Sequence, residues 1–420
     1  MADPGDVSFE SNEKRSFLLS KTFAALKHRN YQLWFLGQLI SLIGTWMQNV
    51  AQPWLVYDLT KSPFYLGAVS FAAAVPSLTL AVWAGVVVDR TSKRRILFIT
   101  QTVMMLNAFL LTLDYFAGWV QPWHIVIIAL VNGTAQAFDA PTRQAFTIEM
   151  VGREDLMNAI GLNSAIFNSA RIMGPTLAGI ALALVGPGWC FFINGISFSA
   201  VLTGLLMMQL PHFVPKPVVG SAATQLRVGL SYIWHDQMIR SLIILVAVSN
   251  IFAMGYSTLL PAFARDVLHA GELGLGLMSA AVGAGALIGA LLVASLSDFT
   301  HKGWLLTFGN IFFPVMVLCL AASRWLPLSL LILVCIGLGF MIQNTTVNTV
   351  IQSVVPDELR GRVMGVYTVV FMGFFPIGSL IAGTVAQSFN IPTGAAFGGS
   401  IALAFSLFLL WRAPHIRQLA

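Results

Sequence analysis

The sequence predicts an all-helical membrane protein with twelve transmembrane helices arranged in two six-helix halves. Three observations predict this fold. Hydrophobic residues make up 57% of the 420 residues and charged residues only 10%, whereas roughly 25% charged residues are typical of soluble domains. Apolar stretches of the ~20 residues that a helix needs to cross a bilayer recur along the chain. Short sequence patterns of the first half also recur in the second half.

Twelve apolar segments follow one another along the chain, each long enough for one transmembrane helix. They are rich in Leu, Ile, Val and Phe and contain many glycines, which favours helices packed closely in lipid. A β-barrel would instead need short strands of alternating polarity. In chain order, the predicted helices cover 31–57, 62–88, 96–118, 122–147, 157–185, 189–210, 241–263, 273–297, 302–323, 327–352, 363–388 and 394–412.

Lysine and arginine are distributed unevenly between the two sides of the predicted membrane. Met1–Asn30 is polar and does not resemble a signal peptide, so we expect the first helix to direct insertion. The side that carries most of the positive charge, with both termini, is expected in the cytoplasm. It receives Lys14, Arg15, Lys21, Lys27, Arg29, Arg90, Lys93, Arg94, Arg95, Arg153, Lys216, Arg227, Arg240, Lys302, Arg360, Arg362, Arg412 and Arg417. The opposite side receives Lys61, Arg265 and Arg324.

The longest polar stretch inside the chain, 211–240, follows the sixth apolar segment and divides the chain into two halves. Prolines begin this stretch as an extended linker, and apolar residues at helical spacing in 225–234 predict a helix along the membrane surface. We therefore expect five regions: a cytoplasmic segment 1–30, a six-helix bundle 31–210, a central loop 211–240, a second bundle 241–412 and a tail 413–420.

Composition argues against several classes of function. Cys190, Cys319 and Cys335 lie in separate apolar segments at spacings that match neither a metal site nor a disulfide framework. No nucleophile has a recognisable base, so we expect no enzyme, no cofactor and no metal. The net charge of +6 is scattered over short loops, which favours a topology signal over nucleic-acid binding.

The two halves contain related segments at an offset of 203–209 residues. "GVVVDRTSK" (85–93) recurs as "ASLSDFTHK" (294–302), and "VGREDL" (151–156) recurs as "VVPDEL" (354–359). Parallel repeats of six helices are typical of transporters whose substrate lies between the halves near the membrane midplane.

The loop "GVVVDRTSKRR" (85–95) resembles the motif between helices two and three of the major facilitator superfamily, with Ser92 in place of its second glycine. The resemblance implies a latch that favours the outward-facing state, in which a glycine allows close packing and an aspartate faces a helix N-terminus or an arginine of the other half. The alternative is that the basic run only anchors the loop in the cytoplasm. The residues implied in this gating loop are Gly85, Asp89, Arg90, Lys93, Arg94 and the repeated Asp298.

The fifth segment contains "GLNSAIFNSARIMGPTLAG" (161–179), which resembles the antiporter signature of the same superfamily. Alanines stand where glycine is usual at two of its positions, and the small-residue face is retained. The resemblance implies tight helix contacts and export against a proton gradient. The residues that fit are Gly161, Gly174, Pro175 and Gly179.

Two further stretches, 44–67 and 140–162, resemble the branch that contains the enterobactin exporter and macrolide-efflux proteins. Together with the repeat, the resemblance covers residues 28–412. The usual arginine of the family's fourth helix would fall on Ala129, so its role in proton coupling cannot be transferred to this chain.

A row of polar residues interrupts the apolar fourth segment. Asn132, Gln136, Asp139 and Arg143 fall on one helical face. Lipid cannot satisfy such a face, so it must meet a cavity or another helix. We expect it to line the central cavity and the cytoplasmic gate; the alternative is a hydrogen-bonded seam between helices.

Asp139 is expected to bind and release the coupling proton, because it is the one acid well inside a predicted helix. Arg171 lies near the middle of the fifth segment and should have a partner there. Asp139 is the hypothesised partner of Arg171, with an anionic substrate or helix-end carbonyls as alternatives. Arg143 is the third residue assigned to proton coupling.

Amide side chains lie on two further segments that line the cavity in this family. They could hold a polar substrate or bond across helices. On the first segment they are Gln38, Gln48, Asn49 and Gln52, and on the tenth Asn344 and Asn348.

These patterns predict a proton-coupled exporter of a small amphipathic compound, such as a siderophore, drug or metabolite, in the inner membrane of a bacterium. Its expected partners are the substrate, protons and the lipid bilayer, and we expect a monomer. One alternative is uptake or facilitated exchange of a small solute or lipid. Another is a receptor or scaffold that does not transport.

Overall fold

The computed structural model of the chain describes residues 23–210, 222–296 and 302–412, in which all regular elements are helices. Most of the predicted N-terminal segment, part of the predicted central loop and all of the predicted tail 413–420 lie outside these ranges.

Six long helices follow the short 3-10 turn Ala24–Lys27. Three of them begin at a proline. Proline lacks an N–H, which costs nothing there because the first N–H of a helix has no intrahelical partner. Two are followed by glycines with positive φ, Gly152 at 71° and Gly186 at 84°. The helices are α1 (Arg29–Thr60), α2 (Pro63–Arg90), α3 (Lys93–Phe116), α4 (Pro122–Val151), α5 (Leu156–Val185) and α6 (Pro187–Met207).

The described part of the second half contains seven helices. They are α7 (Ala222–His235), α8 (Gln237–Val267), α9 (Gly271–Ser295), α10 (Lys302–Ala322), α11 (Leu326–Val354), α12 (Asp357–Ser388) and α13 (Ile391–Arg412). Two of them are irregular. In α8, π-helical turns at Ser249–Ala253 and Phe263–Val267 flank a 3-10 stretch, and α12 is interrupted at Phe374, just before Pro376.

Eleven helical segments of the described ranges are long and apolar enough to cross a membrane. Helix α1 has 32 residues but is not among them. Its several glutamines and asparagines lower its hydropathy, so the predicted number of twelve spans depends on α1.

Helix packing repeats between the two halves. In the N-terminal bundle (α1–α6), α2 packs against α4, and α3 against α4 and α6. In the C-terminal bundle (α8–α13), α9 packs against α11, and α10 against α11 and α13. The surface helix α7 packs against α12, burying Ile233 while Leu230 and Trp234 stay exposed.

The two bundles contact each other through α5 with α9 and α2 with α12. Many of these contacts lie where α1 ends and α2 begins, which we call the closed end. There the Ser62 hydroxyl lies 2.7 Å from the Gln387 side-chain oxygen. A Cβ added to Gly67 would lie 2.5 Å from the carbonyl oxygen of Ser379, so the two backbones touch.

Candidate functional site

A cavity of about 770 Å³ is bordered by α1, α4 and α5. Its lining reaches the last turns of α4, at Thr147 and Ile148, and the first turns of α5, at Leu156 and Ile160. These turns lie opposite the closed end, so the cavity opens there. The lining includes Trp34, Gln38, Thr45, Trp46, Asn49, Gln136, Asp139, Arg143, Gln144, Asn163, Ser164, Phe167 and Asn168.

Asp139 is completely buried at the cavity wall, and both of its carboxylate oxygens are occupied. Oδ1 accepts hydrogen bonds from Thr100 Oγ1 and Gln101 Nε2, each at 2.8 Å. Oδ2 accepts a charge-assisted hydrogen bond from Arg143 Nε, one helical turn away on the same helix. A buried charge is tolerated when it is paired and hydrogen-bonded in this way.

Arg143 connects the buried acid to helix α1. Its Nη1 donates to Gln38 Oε1, and its guanidinium carbon lies 6.0 Å from the centroid of the Trp34 ring. The Arg143 side chain remains 23% exposed. Within the described residues, the donor Gln38 Nε2 and the acceptor Gln101 Oε1 are buried without a hydrogen-bond partner, so this network can form further bonds.

The hypothesised pair of Asp139 with Arg171 is wrong. Asp139 faces α3, and Arg143 reaches it first because the two residues are one turn apart. The electrostatic neighbour of Arg171 is Tyr256 on α8, in the other bundle. Arg171 forms no side-chain hydrogen bond or ion pair with any described residue. The spacing along α4 and α5 predicted depth in the membrane but not which side of α5 carries Arg171.

The polar face of α4 is divided between cavity and seam. Gln136, Asp139 and Arg143 border the cavity, as expected. Asn132 does not: its Oδ1 accepts a 3.1 Å hydrogen bond from Asn107 Nδ2 in a seam between α3 and α4. A seam without cavity contact therefore describes Asn132, whereas Asp139 and Arg143 both border the cavity and bond to neighbouring helices.

The amides of α1 are divided in the same way. Gln38 and Asn49 border the cavity. Gln48 accepts a 2.6 Å hydrogen bond from Asn194 Nδ2 on α6 and donates to Gln52 Oε1 at 3.2 Å. Gln48 and Gln52 thus belong to a seam between helices.

The two amides predicted on α11 bond within their own helix. Asn344 is buried and donates to the carbonyl of Phe340 at 3.0 Å, while Asn348 accepts from Gln352 at 2.5 Å. Their predicted role in substrate binding stays a prediction.

The gating loop lies at the open end. An added Cβ at Gly85 would have no neighbour within 4 Å, so the close packing expected there is absent. Asp89 and Arg90 are exposed, and Asp89 pairs with no described residue. Lys93 binds Glu149 at 3.0 Å and Arg94 Nη2 donates to the Leu206 carbonyl at 3.0 Å, both inside the N-terminal bundle. The predicted latch is not engaged among described residues, and Asp298 lies outside them.

The small residues of α5 have different surroundings. A Cβ added to Gly174 would overlap with Trp46 Cβ, and one added to Gly179 would lie 3.0 Å from Gly276 Cα in the other bundle. Pro175 is buried beside them, and its carbonyl oxygen would be 2.7 Å from a Cβ at Gly276. Gly161 is exposed, with no neighbour within 4 Å of an added Cβ, so the tight contact expected there is wrong.

Sequence reasoning missed a charged cluster at the closed end. Asp58 at the end of α1 binds Arg265 of α8 and Lys61, and the Tyr57 hydroxyl donates to Asp266. The Arg265 guanidinium carbon also lies 5.6 Å from the Trp54 ring centroid. Arg265 was one of three cations assigned to the side poor in positive charge, and that rarity was the available signal.

A second ionic tie lies at the open end, outside the membrane spans. Lys27 Nζ and His28 Nε2 lie 2.8 and 2.7 Å from Asp155 Oδ2, between α4 and α5. These partners, Lys27 above all, hold the pKa of Asp155 below its usual range. The tie fastens the start of α1 to the start of α5 at the mouth of the cavity.

Similar proteins are transporters by name. The Staphyloferrin A transporter of Staphylococcus aureus (strain NCTC 8325 / PS 47) is 26% identical over 85% of this chain and 89% of its own. The multidrug efflux pump Tap of Mycolicibacterium fortuitum is 26% identical over 97% of this chain and 98% of its own. The enterobactin exporter EntS of Citrobacter koseri is 23% identical over 96% of both chains.

A similar fold is known from a crystal structure. The nucleoside transporter NupG superposes with a TM-score of 0.69 at 16% identity, covering 92% of this chain and 97% of that one. The family described as transmembrane secretion effector matches residues 20–418. The chain therefore belongs to this family of the major facilitator superfamily, and it is a multi-pass membrane transporter of small molecules rather than an enzyme.

Proposed function

We propose that the chain is a secondary active exporter, which moves a small amphipathic compound out of a bacterial cell in exchange for protons. The names of the three relatives, two of which are an exporter and an efflux pump, support the outward direction. The candidate compounds are siderophores, drugs and other metabolites.

The proposed topology has twelve spans, with α1 as the first, in bundles 31–210 and 241–412. Both termini and the central loop 211–240 are cytoplasmic, in the inner membrane. The charge bias of the loops supports this orientation. The closed end then faces the outside and the cavity opens to the cytoplasm, as an exporter needs when it loads its substrate. Because one chain supplies the cavity, the proposal requires only a monomer and no nucleic acid.

The observation that carries the proposal is the buried ion pair of Asp139 and Arg143 in the cavity wall. While Asp139 is ionised, it holds Arg143, which in turn holds Gln38 of α1. A proton on Asp139 removes the charge that holds Arg143, and the bonds between α4 and α1 weaken. Proton binding then changes the relative stability of two arrangements of α1 and α4, which is what coupling requires.

The experiment is transport by reconstituted vesicles with an imposed pH gradient, using a compound found by screening efflux from a strain without its own pumps. Asp139→Asn keeps the shape of the side chain but cannot titrate. We expect it to abolish accumulation against a gradient and to leave substrate binding intact. Glu154→Gln, which removes an exposed acid next to α4, is the matched control and should transport normally.

Each alternative function has its own outcome in this assay. Flux in the wild type that ignores the pH gradient supports facilitated exchange, and the absence of flux for every compound supports a receptor or scaffold. If Asp139→Asn still concentrates the compound under a proton gradient, the carboxylate is a structural partner of Arg143 and not the proton carrier.

A further inference from the structure

Arg171 carries a positive charge near the middle of the membrane. The proposed proton coupling through Asp139 and Arg143 gives it no role. It lies about 22 Å from the start of α5, at 1.5 Å per residue. It follows Phe167 and Asn168 of the cavity lining by one helical turn. A charged side chain at this depth is unfavourable without a partner, and such residues commonly mark a substrate path.

The surroundings of Arg171 lie at the contact between the bundles. Its carbonyl oxygen would be 3.0 Å from a Cβ at Gly283 of α9, so α5 and α9 touch at this level. Its electrostatic neighbour Tyr256 is only 2% exposed. The side chains of Arg171 and Tyr256 form no hydrogen bond with any described residue. A guanidinium one turn beyond the cavity lining and its neighbouring phenol thus have no bonded partner.

No acid among the described residues pairs with Arg171. Asp139 is the only carboxylate well inside a predicted membrane segment, and the other acids, Asp114 included, lie near segment ends or in loops. All of the hydrogen-bonding that Asp139 needs comes from Thr100, Gln101 and Arg143. Because Arg143 neutralises its charge, Asp139 gives the cavity no net negative charge to attract a positively charged compound.

An aromatic wall lies next to this cation. Trp46 of α1 and Phe167 of α5 contact each other edge to face, with ring centroids 5.7 Å apart, and both border the cavity. Trp46 also packs against Gly174, one turn beyond Arg171. A compound with an acidic group and an apolar or aromatic body would match this arrangement of charge and rings.

We propose that the cavity selects anionic amphipathic compounds, whose acidic group binds Arg171 and the Tyr256 hydroxyl while the apolar body packs against Trp46 and Phe167. The proposal rests on the proposed function, since it names the substrate class of the same cavity. Arg171 lies on the N-terminal bundle and Tyr256 on the C-terminal bundle, so the bound anion joins the two. Arg143 is not the anion site, because Asp139 already neutralises its charge.

The test uses three probes with the same aromatic body and different charge: 1-naphthoate, 1-naphthamide and 1-naphthylmethylammonium. Their binding to the purified full chain in detergent is measured by quenching of tryptophan fluorescence. We expect naphthoate to bind best. Arg171→Gln should weaken naphthoate roughly tenfold to hundredfold, the range of a charged hydrogen bond, and leave naphthamide almost unchanged.

Two further variants separate charge from folding. Arg171→Lys keeps the charge and should retain the preference for naphthoate. Arg240→Gln removes a cation outside both the cavity and the gating loop and should change none of the three affinities. Each variant is checked by gel filtration, so that loss of binding is not mistaken for loss of fold.

The inference is overturned if the ammonium or the amide binds the wild type as tightly as naphthoate, if naphthoate does not bind at millimolar concentration, or if Arg171→Gln weakens the acid and the amide equally. Equilibrium binding needs no proton gradient. A chain that couples protons to a neutral substrate would therefore pass the flux test and fail this one, which distinguishes the two proposals.

Discussion

At the scale of single residues, the chemistry depends on how one buried carboxylate divides its hydrogen bonds. Two neutral donors from α3 remain on Asp139 Oδ1 whatever Arg143 does. Arg143 alone supplies a full positive charge, to Oδ2. The neutral donors therefore position the acid, while the cation is its charge partner.

We expect Arg143→Gln to slow gradient-driven transport about tenfold to hundredfold, the range of a charged hydrogen bond. Without the cation, the ionised form of Asp139 loses its charge partner, and Gln38 of α1 loses its donor from α4. Arg143→Lys retains a positive charge and is the control, with a smaller loss. Initial rates in vesicles with an imposed pH gradient give the measurement, and an unchanged rate for Arg143→Gln would remove Arg143 from the coupling.

The sequence revealed part of this site. Spacing placed Asp139 and Arg143 on one face of α4, because helical periodicity depends only on residue number. It could not give the partner of Arg171, which depends on the rotation of α5 against its neighbours. Nor did it indicate Thr100 and Gln101, since two polar residues in an apolar segment do not reveal what they bind.

At the scale of the helix, two glycines of the same signature in α5 pack against very different surroundings. Gly174 meets Trp46 of α1, whereas Gly161 faces open space near the cavity mouth. The same motif therefore contains one position where a methyl group collides and another where it fits. These two positions form a matched pair.

We expect Gly174→Ala to destabilise the protein by about 1–3 kcal/mol, because its Cβ would overlap with the Cβ of Trp46. Gly161→Ala should instead stabilise it by up to about 1 kcal/mol, since alanine favours the helix and meets no neighbour. Thermal unfolding in detergent measures both. Equal effects of the two variants would contradict the packing of α5 against α1.

The bounds of the regular helices were predicted from the sequence to within a few residues, whereas the irregular turns were not. The span predicted at 62–88 is observed as Pro63–Arg90, and that at 122–147 as Pro122–Val151. The span predicted at 241–263 lies in α8, whose π-helical and 3-10 turns hydropathy cannot reveal. Those turns depend on local packing, for example of Gly255, where an added Cβ would lie 2.7 Å from Ala382 Cβ.

At the scale of the whole molecule, the closed end and the open end are held by different charges. The bond between Asp58 and Arg265 crosses from α1 to α8, so the two bundles can separate at the closed end only if it breaks. The gating loop at the open end has Asp89 exposed and unpaired within the described residues. In the proposed alternating access, one set of contacts must break as the other forms.

We expect Asp58→Asn to shift the protein toward the conformation in which the end that is now closed has opened. Asp89→Asn should shift it away from that conformation. Both partners at the closed end are partly exposed, the side chain of Asp58 at 49% and that of Arg265 at 33%. A pair with that exposure contributes about 0.2–1 kcal/mol, so the ratio of the two states should change by about 1.4-fold to fivefold.

The reporter is a cysteine at Asn49, in a background without the native cysteines, labelled from outside by a membrane-impermeant maleimide. Asp58→Asn should label faster and Asp89→Asn more slowly than the parent. Asp114→Asn, which removes an acid bound to His124 within one bundle, should leave the rate unchanged. Exchanging the charges, with Asp58→Arg and Arg265→Asp together, should restore the parent rate if the bond itself sets the balance. Faster labelling in the exchanged protein, equal to that of Asp58→Asn, would show that the closed end is held by its backbone contacts alone.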